Sequence, residues 1–214
     1  METWKVLLVV LVVAALGTAT FLYVAFGAFL PWREEAEAAR LAALVHLGAG
    51  QVVADIGAGG GRFSAAFASR VGPSGHVYAT DVSRARVADL RQLARGVANL
   101  DVVEATRTGT GLPDGCCQLV MLRTVYHHIS APEAFVAALR RALAPGGRVA
   151  IIDFAPGALW FHGGPPSDAD ERRPGHGVAQ SVVAREFAAA GFIVEREITN
   201  WSGPLWLTVF RAKD

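Results

Sequence analysis

From Val6 to Leu30 no charged residue interrupts the chain, and after Pro31 the pattern changes to short apolar runs alternating with amphipathic stretches. At ~1.5 Å per residue an uncharged run of 25 positions makes a helix of ~38 Å, against ~30 Å of bilayer hydrocarbon. The run predicts one N-terminal transmembrane helix. A cleaved signal peptide is the competing reading, because Ala25-Phe26-Gly27 loosely resembles a small-residue cleavage site. The run is longer than an ordinary signal core, and Trp4, Tyr23 and Trp32 suit interfacial positions. The alanine-rich stretch over 34–47 then reads as a helix that stops at Gly48 and Gly50. Strands over 52–56, 76–80, 101–105, 118–123 and 148–154 alternate with helices over 62–71, 83–95 and 132–143. That rhythm predicts an α/β fold, a Rossmann-like, doubly wound parallel sheet with helices on both faces.

Residues 155–180 break the rhythm with a long stretch rich in Gly, Pro, His and charge, the length of a substrate-gate loop rather than a connection. A helix follows over 181–190. Two strands over 193–198 and 206–210 flank "TNWSGP" with no helix between them, so they should pair antiparallel. Two segments result: an anchor over 1–33 and a globular domain over 34–214. Net charge is +1 and no basic run exceeds two residues, which argues against nucleic acid as a partner. The only two cysteines, Cys116 and Cys117, are adjacent, a spacing that rarely meets disulfide geometry, and they read as small strand residues.

Candidate chemistry begins in "VVADIGAGGGRFS" (52–64), where Asp55 ends an apolar run just before a glycine-studded turn. Glycines expose backbone N–H groups to a polar ligand at the start of a helix, although a tight strand-to-helix turn can need them for its own angles. The next strand ends in Asp81, about 20 residues past Gly61, where a carboxylate accepts the hydroxyls of a ribose. A site for a pyrophosphate has no reason to place an aspartate beside the turn. Asp55 suits a ligand with a cationic amine, and S-adenosylmethionine (SAM) carries one together with a sulfonium.

Four pieces, "VVADIGAGGGRF", "VYATDVS", "LPDGCCQLVMLRTVYHHI" and "RALAPGGRVAIIDF", in this order and spacing, resemble the class I SAM-dependent methyltransferases, especially the group that includes quinone, phospholipid and small-molecule methyltransferases. The resemblance implies a seven-stranded sheet with an antiparallel last strand, and SAM as cofactor. It implies that Asp55, Gly57, Ala58, Gly59 and Gly61 line the methionine and ribose portion, that Asp81 binds the ribose, and that Val82 touches the adenine. An acidic residue that the family often places after the third strand is here Thr106, beside Arg107. A threonine hydroxyl accepts the same bond less strongly. Gln118 stands where the family often has an aspartate. Arg123 either faces the cofactor carboxylate or caps a loop.

The pair His127-His128 follows the fourth strand, where this fold brings the acceptor against the methyl group. A neutral imidazole can take the acceptor's proton, which makes His127 the expected general base and leaves His128 to pack beneath the loop or touch substrate. Tyr126, Asp153, Arg173 and His176 complete the expected substrate-binding set. Asp153 is a second candidate base or an anchor for the gate loop, and Arg172 and Arg173 either meet an anionic group or are solvated. Histidines 162 and 176 lack fixed-spacing partners, so no metal is expected. The expected protein is a membrane-anchored SAM-dependent methyltransferase acting on a small-molecule or lipid acceptor of quinol, phospholipid or thiol type. A non-catalytic SAM-binding membrane protein and a dinucleotide-dependent oxidoreductase are its rivals. Flanking charges do not orient the anchor; the cytosolic origin of SAM places the domain on the cytosolic side.

Overall fold

The computed structural model describes residues 12, 13, 16–18, 33–106, 109–157 and 177–213. The predicted anchor lies almost wholly outside these residues, as do Arg107, Arg172, Arg173, His162, His176 and most of the gate loop. Residues 12, 13 and 16–18 are helical, and no helix among the described residues is long and apolar enough to cross a membrane.

Helix α1 (33–44) leads into β1 (Val52–Ile56), α2 (Arg62–Val71), β2 (His76–Asp81), α3 (Arg84–Ala94), β3 (Leu100–Glu104) and β4 (Cys117–Arg123). A single 3-10 turn (Tyr126–His128) precedes α4 (Pro132–Ala142), β5 (Leu143–Phe154), α5 (Gln180–Ala189), β6 (Phe192–Ser202) and β7 (Leu205–Ala212). The strands form one seven-stranded sheet in the order β3-β2-β1-β4-β5-β7-β6. Strands β1 to β5 pair parallel, while β7 runs antiparallel to both β5 and β6. The order reverses between β1 and β4, so the ligand crevice of such a sheet lies beyond the carboxyl ends of these two strands.

Side-chain parity assigns each strand residue to a face. Val53, Leu119, Met121, Ala150 and Ile152 pack with α1, α2 and α3, whereas Ala54, Ile56, Val120, Leu122, Val149 and Ile151 pack with α4 and α5. Both faces are dry, which is why the central strands read as unbroken apolar runs. The alternation also sends Asp55 and Arg123 toward the first face and Asp153 toward the second.

Two expectations need correction. Strand β5 begins at Leu143, not at 148, because the Pro145-Gly146-Gly147 stretch that reads as a turn is absorbed by a register shift between Cys117 and Leu119. A side chain at Gly147 would press on the Cys117 and Ala144 carbonyls. Cys116 and Cys117 are joined to each other as a vicinal disulfide, at the edge of the sheet away from the crevice.

Candidate functional site

The glycine turn has two kinds of glycine. Gly57 (φ 69°), Gly59 (φ 55°) and Gly61 (φ 74°) all adopt left-handed angles, but a Cβ would collide only at Gly57, with Val125, and at Gly61, with Leu90 and Leu93. Gly57 and Gly61 serve the fold itself. At Gly59 and Gly60 an added Cβ would meet nothing within 4 Å, so the open backbone that can face a ligand is confined to these two residues. Ala58 fixes the turn to β2, its N–H donating to the Thr80 carbonyl at 2.8 Å.

Asp81 ends β2 facing this turn. Its Oδ2 accepts from Gly59 N–H at 3.1 Å and its Oδ1 from Ser83 N–H at 2.8 Å, which aims the carboxylate while leaving lone pairs for ribose hydroxyls. Beside it Val82 is 61% exposed, an apolar side chain offered to solvent where a flat base would lie. Asp81, Val82 and Thr106 line one wall of a cavity of about 350 Å³, and Ile129, Phe135 and His128 line another. That volume falls in the range of small-molecule sites. A larger, open depression of about 820 Å³ lies between α1 and α2 behind the turn, bordered by Glu35, Arg62 and Arg70, away from Asp81 and the histidines.

Asp55 is 2% exposed and its Oδ2 accepts the Ser64 hydroxyl at 2.6 Å. Burial pushes its carboxyl up to about 6; the Ser64 bond and the charge of Arg123 pull it down, and Asp81 adds a small upward push. A carboxylate so poorly solvated gains most from a cationic partner, which an ammonium group supplies.

Arg123 lies at the end of β4 and turns to α1. Its Nε and Nη2 donate to Glu37 Oε2 at 3.3 and 3.1 Å, and the buried Glu37 also accepts the Trp201 indole N–H at 2.8 Å. Arg40, one turn along α1, donates to the Trp201 carbonyl and stacks its guanidinium 3.6 Å over the indole ring. Glu37 and Ser64 are absent from the residues singled out by sequence. Glu37 had a signal: it occupies the buried stripe that continues through Leu41 and Val45, where a lone carboxylate requires a partner.

The histidine pair is arranged differently from expectation. His127 is the buried one, at 7% exposure, and its Nδ1 lies 2.8 Å from Asp153 Oδ1. Asp153 also accepts the N–H groups of His127 (3.1 Å) and Phe154 (2.9 Å). A carboxylate accepts, so the imidazole carries a proton on Nδ1, and in the neutral tautomer this leaves Nε2 as an acceptor. Asp153, wholly buried, is placed to orient His127. His128 is exposed and borders the cavity, its ring 3.9 Å from that of His127. Tyr126, expected to touch substrate, is in the core, where its hydroxyl donates to Glu186 of α5 at 2.8 Å.

The residues that flank 155–177, most of the stretch predicted as a gate loop, are fixed beside this pair. Val178 N–H donates to the Phe154 carbonyl at 2.8 Å, and the Trp206 indole N–H to the Val178 carbonyl at 3.2 Å. Phe154 and Val178 therefore sit together at the end of β5, next to Asp153.

Known proteins share parts of this arrangement. Residues 54–151 match the family described as "Methyltransferase domain". A structure from Aquifex aeolicus titled "SAM dependent methyltransferase" superposes with a TM-score of 0.68 at 25% identity, over 81% of this chain and 87% of that one. The trans-methyltransferase CalH, solved with S-adenosylhomocysteine, shares the fold with a TM-score of 0.67 at 16% identity, over 86% of this chain and 59% of its own. In fold and in the matched segment the chain is similar to SAM-dependent methyltransferases, proteins that use S-adenosylmethionine as cofactor. Among curated relatives, the ubiquinone/menaquinone biosynthesis C-methyltransferase UbiE of Cupriavidus metallidurans is 34% identical over 109 residues, which are 50% of this chain and 44% of that protein. The chain thus spans less than half the length of the curated relatives it matches.

Proposed function

We propose that the chain is a membrane-anchored methyltransferase whose acceptor is a lipophilic hydroxyl compound of the quinol type, methylated on the cytosolic side. The observation that carries the reading is the buried His127–Asp153 pair at the carboxyl edge of the sheet, within a ring's contact of a cavity that ends at Asp81. Similarity to quinone-pathway C-methyltransferases supports the quinol, and the uncharged run over 6–30 supports the anchor.

When bound, SAM supplies an electrophilic methyl group on a sulfonium. Asp81 would hold the ribose hydroxyls, Val82 would lie against the base, and Thr106 would offer a hydroxyl from the same cavity. Asp55 receives the ammonium group. His127 would accept the hydroxyl proton of the acceptor on Nε2 as the acceptor bonds to the methyl group and the methyl–sulfur bond breaks to leave S-adenosylhomocysteine, and Asp153 would stabilise the resulting imidazolium through Nδ1. Burial of both groups excludes competing water from this proton transfer. The residues present fit the cofactor: a desolvated carboxylate at Asp55 suits an ammonium group, and the exposed Val82 suits a flat base.

The test is incubation of the detergent-solubilised full chain with methyl-labelled SAM and a polyprenyl hydroquinone. Label in the organic phase together with released S-adenosylhomocysteine is expected, and mass spectrometry then assigns the methyl to carbon or oxygen. SAM binding without turnover, on hydroquinone or on whole membrane extract, would leave the chain a non-catalytic SAM-binding protein.

A further inference from the structure

We infer that Glu37 of α1 is a positioning residue of the cofactor site, holding Arg123 so that its free edge receives the carboxylate of the methionine portion. The inference rests on the SAM-dependent reading and adds to it a residue outside the motifs that carry the resemblance.

The geometry is directional. Glu37 occupies the Nε and Nη2 side of the guanidinium, which leaves Nη1 without a partner among the described residues. An arginine fork presents a second pair of donors along its outer edge, and a carboxylate fits such an edge through two parallel bonds. The side chain of Arg123 retains 26% exposure while that of Glu37 has 5%, so the open edge of the pair belongs to the arginine. Glu37 cannot swing away to solvent: Trp201 donates to its other oxygen, and Arg40 stacks on that indole. Phe63, 5.4 Å beneath the guanidinium, supports it from α2. Parity puts Arg123 and Asp55 on the same face of neighbouring strands, and the arginine's charge reaches Asp55. An ammonium at Asp55 and a carboxylate at Arg123 match the two charges of an amino acid tail.

The alternative is competition, in which Glu37 fills the place of the ligand carboxylate and must be displaced. Its burial and its second bond to Trp201 favour a fixed partner. The two differ in sign.

The test compares two ligands by isothermal titration on the full chain: S-adenosylhomocysteine, and methylthioadenosine, which has the nucleoside and sulfur but no amino acid. Glu37→Gln keeps an acceptor for Trp201 and removes the charge. It should bind S-adenosylhomocysteine about tenfold more weakly and methylthioadenosine unchanged. Arg123→Lys, which loses the fork, should show the same selective loss and serves if the first variant does not fold. Equal loss on both ligands would make Glu37 a structural residue only. Unchanged or tighter S-adenosylhomocysteine binding in Glu37→Gln would also overturn the proposal. A wild-type chain that binds both ligands equally sinks this inference alone, and one that binds neither sinks the cofactor reading with it.

Discussion

Asp55 meets one hydroxyl, that of Ser64 at 2.6 Å, and is otherwise enclosed at the end of β1. With its pKa raised to about 6, this carboxyl favours folding most when protonated; the contribution is complete below the ordinary value near 3.8 and is lost as pH rises through about 6. Keeping it ionised at neutral pH costs the free protein about 3 kcal/mol. Asp55→Asn should therefore raise the melting temperature at pH 7.5, with the gain disappearing near pH 4, while SAM binding falls below detection. In the wild type, SAM affinity should drop as pH falls below about 6. Calorimetry across pH 4–8 checks both, and destabilisation of Asp55→Asn at pH 7.5 would refute the account.

Asp81 offers its remaining lone pairs from a carboxylate already aimed by two backbone N–H groups. Asp81→Ala should weaken SAM binding by about 1.5–3 kcal/mol, the range for hydrogen bonds to a charged group. A folded variant with unchanged affinity would remove the ribose assignment.

His127→Ala should slow methyl transfer by about 10²-fold or more with SAM affinity nearly intact, as loss of a general base does. Asp153→Asn keeps the shape but not the charge that selects the Nδ1–H tautomer. It should lower kcat in the same direction and leave the dissociation constant for S-adenosylhomocysteine within about twofold, since no cofactor contact is removed. Equal loss of binding in both variants would make the pair structural.

The sheet was legible because its strands obey simple periods: Leu119 and Met121 alternate with Val120 and Leu122, all buried, as a central parallel strand requires. The cofactor side of the site was legible for a related reason, since Asp55, the glycine turn and Asp81 lie in short, contiguous pieces. What sequence did not reveal depends on contacts across long separations. Glu37 meets Arg123 and Trp201, 86 and 164 residues away. Which of two adjacent histidines turns inward is decided by the 3-10 turn and by Asp153 on β5, so the expectation that His128 packs beneath the loop is reversed: His127 is buried and His128 exposed. Tyr126 looked like a substrate contact because it adjoins the pair, but the turn points it to Glu186.

Thr124, between Arg123 and the histidine turn, has a left-handed backbone angle of φ 54°, an unusual conformation for a β-branched residue. Its N–H donates to the Ile152 carbonyl at 2.7 Å and its hydroxyl to the Arg123 carbonyl at 2.7 Å, so the surroundings hold it there. Such strain fixes the direction in which the chain enters the histidine turn. Thr124→Gly should stabilise the fold by about 1 kcal/mol through relief of that strain, and should lower kcat by loosening His127. Denaturant melts and single-turnover rates test the two effects; a variant that is less stable would show that the hydroxyl bond outweighs the strain.

The last prediction concerns residues 1–30 and uses the position of α1. Helix α1 starts at 33 and carries Glu37 and Arg40, both tied to Trp201 at the far end of the sheet. An anchor over 6–30 would therefore join a helix that is itself part of the domain, with little slack between bilayer and site. Deleting residues 1–30 should release the chain from membranes while leaving SAM binding intact, because α1 is retained. Deleting residues 1–44 should weaken SAM binding, because Arg123 then loses Glu37. SAM is made in the cytosol and carries charge, so the domain should face it, with Arg33 and Arg40 close to the membrane on that side. Protease added to intact cells should leave the domain whole. Its digestion from outside would reverse the topology, and a 1–30 deletion that stays in the membrane pellet would remove the anchor from the account.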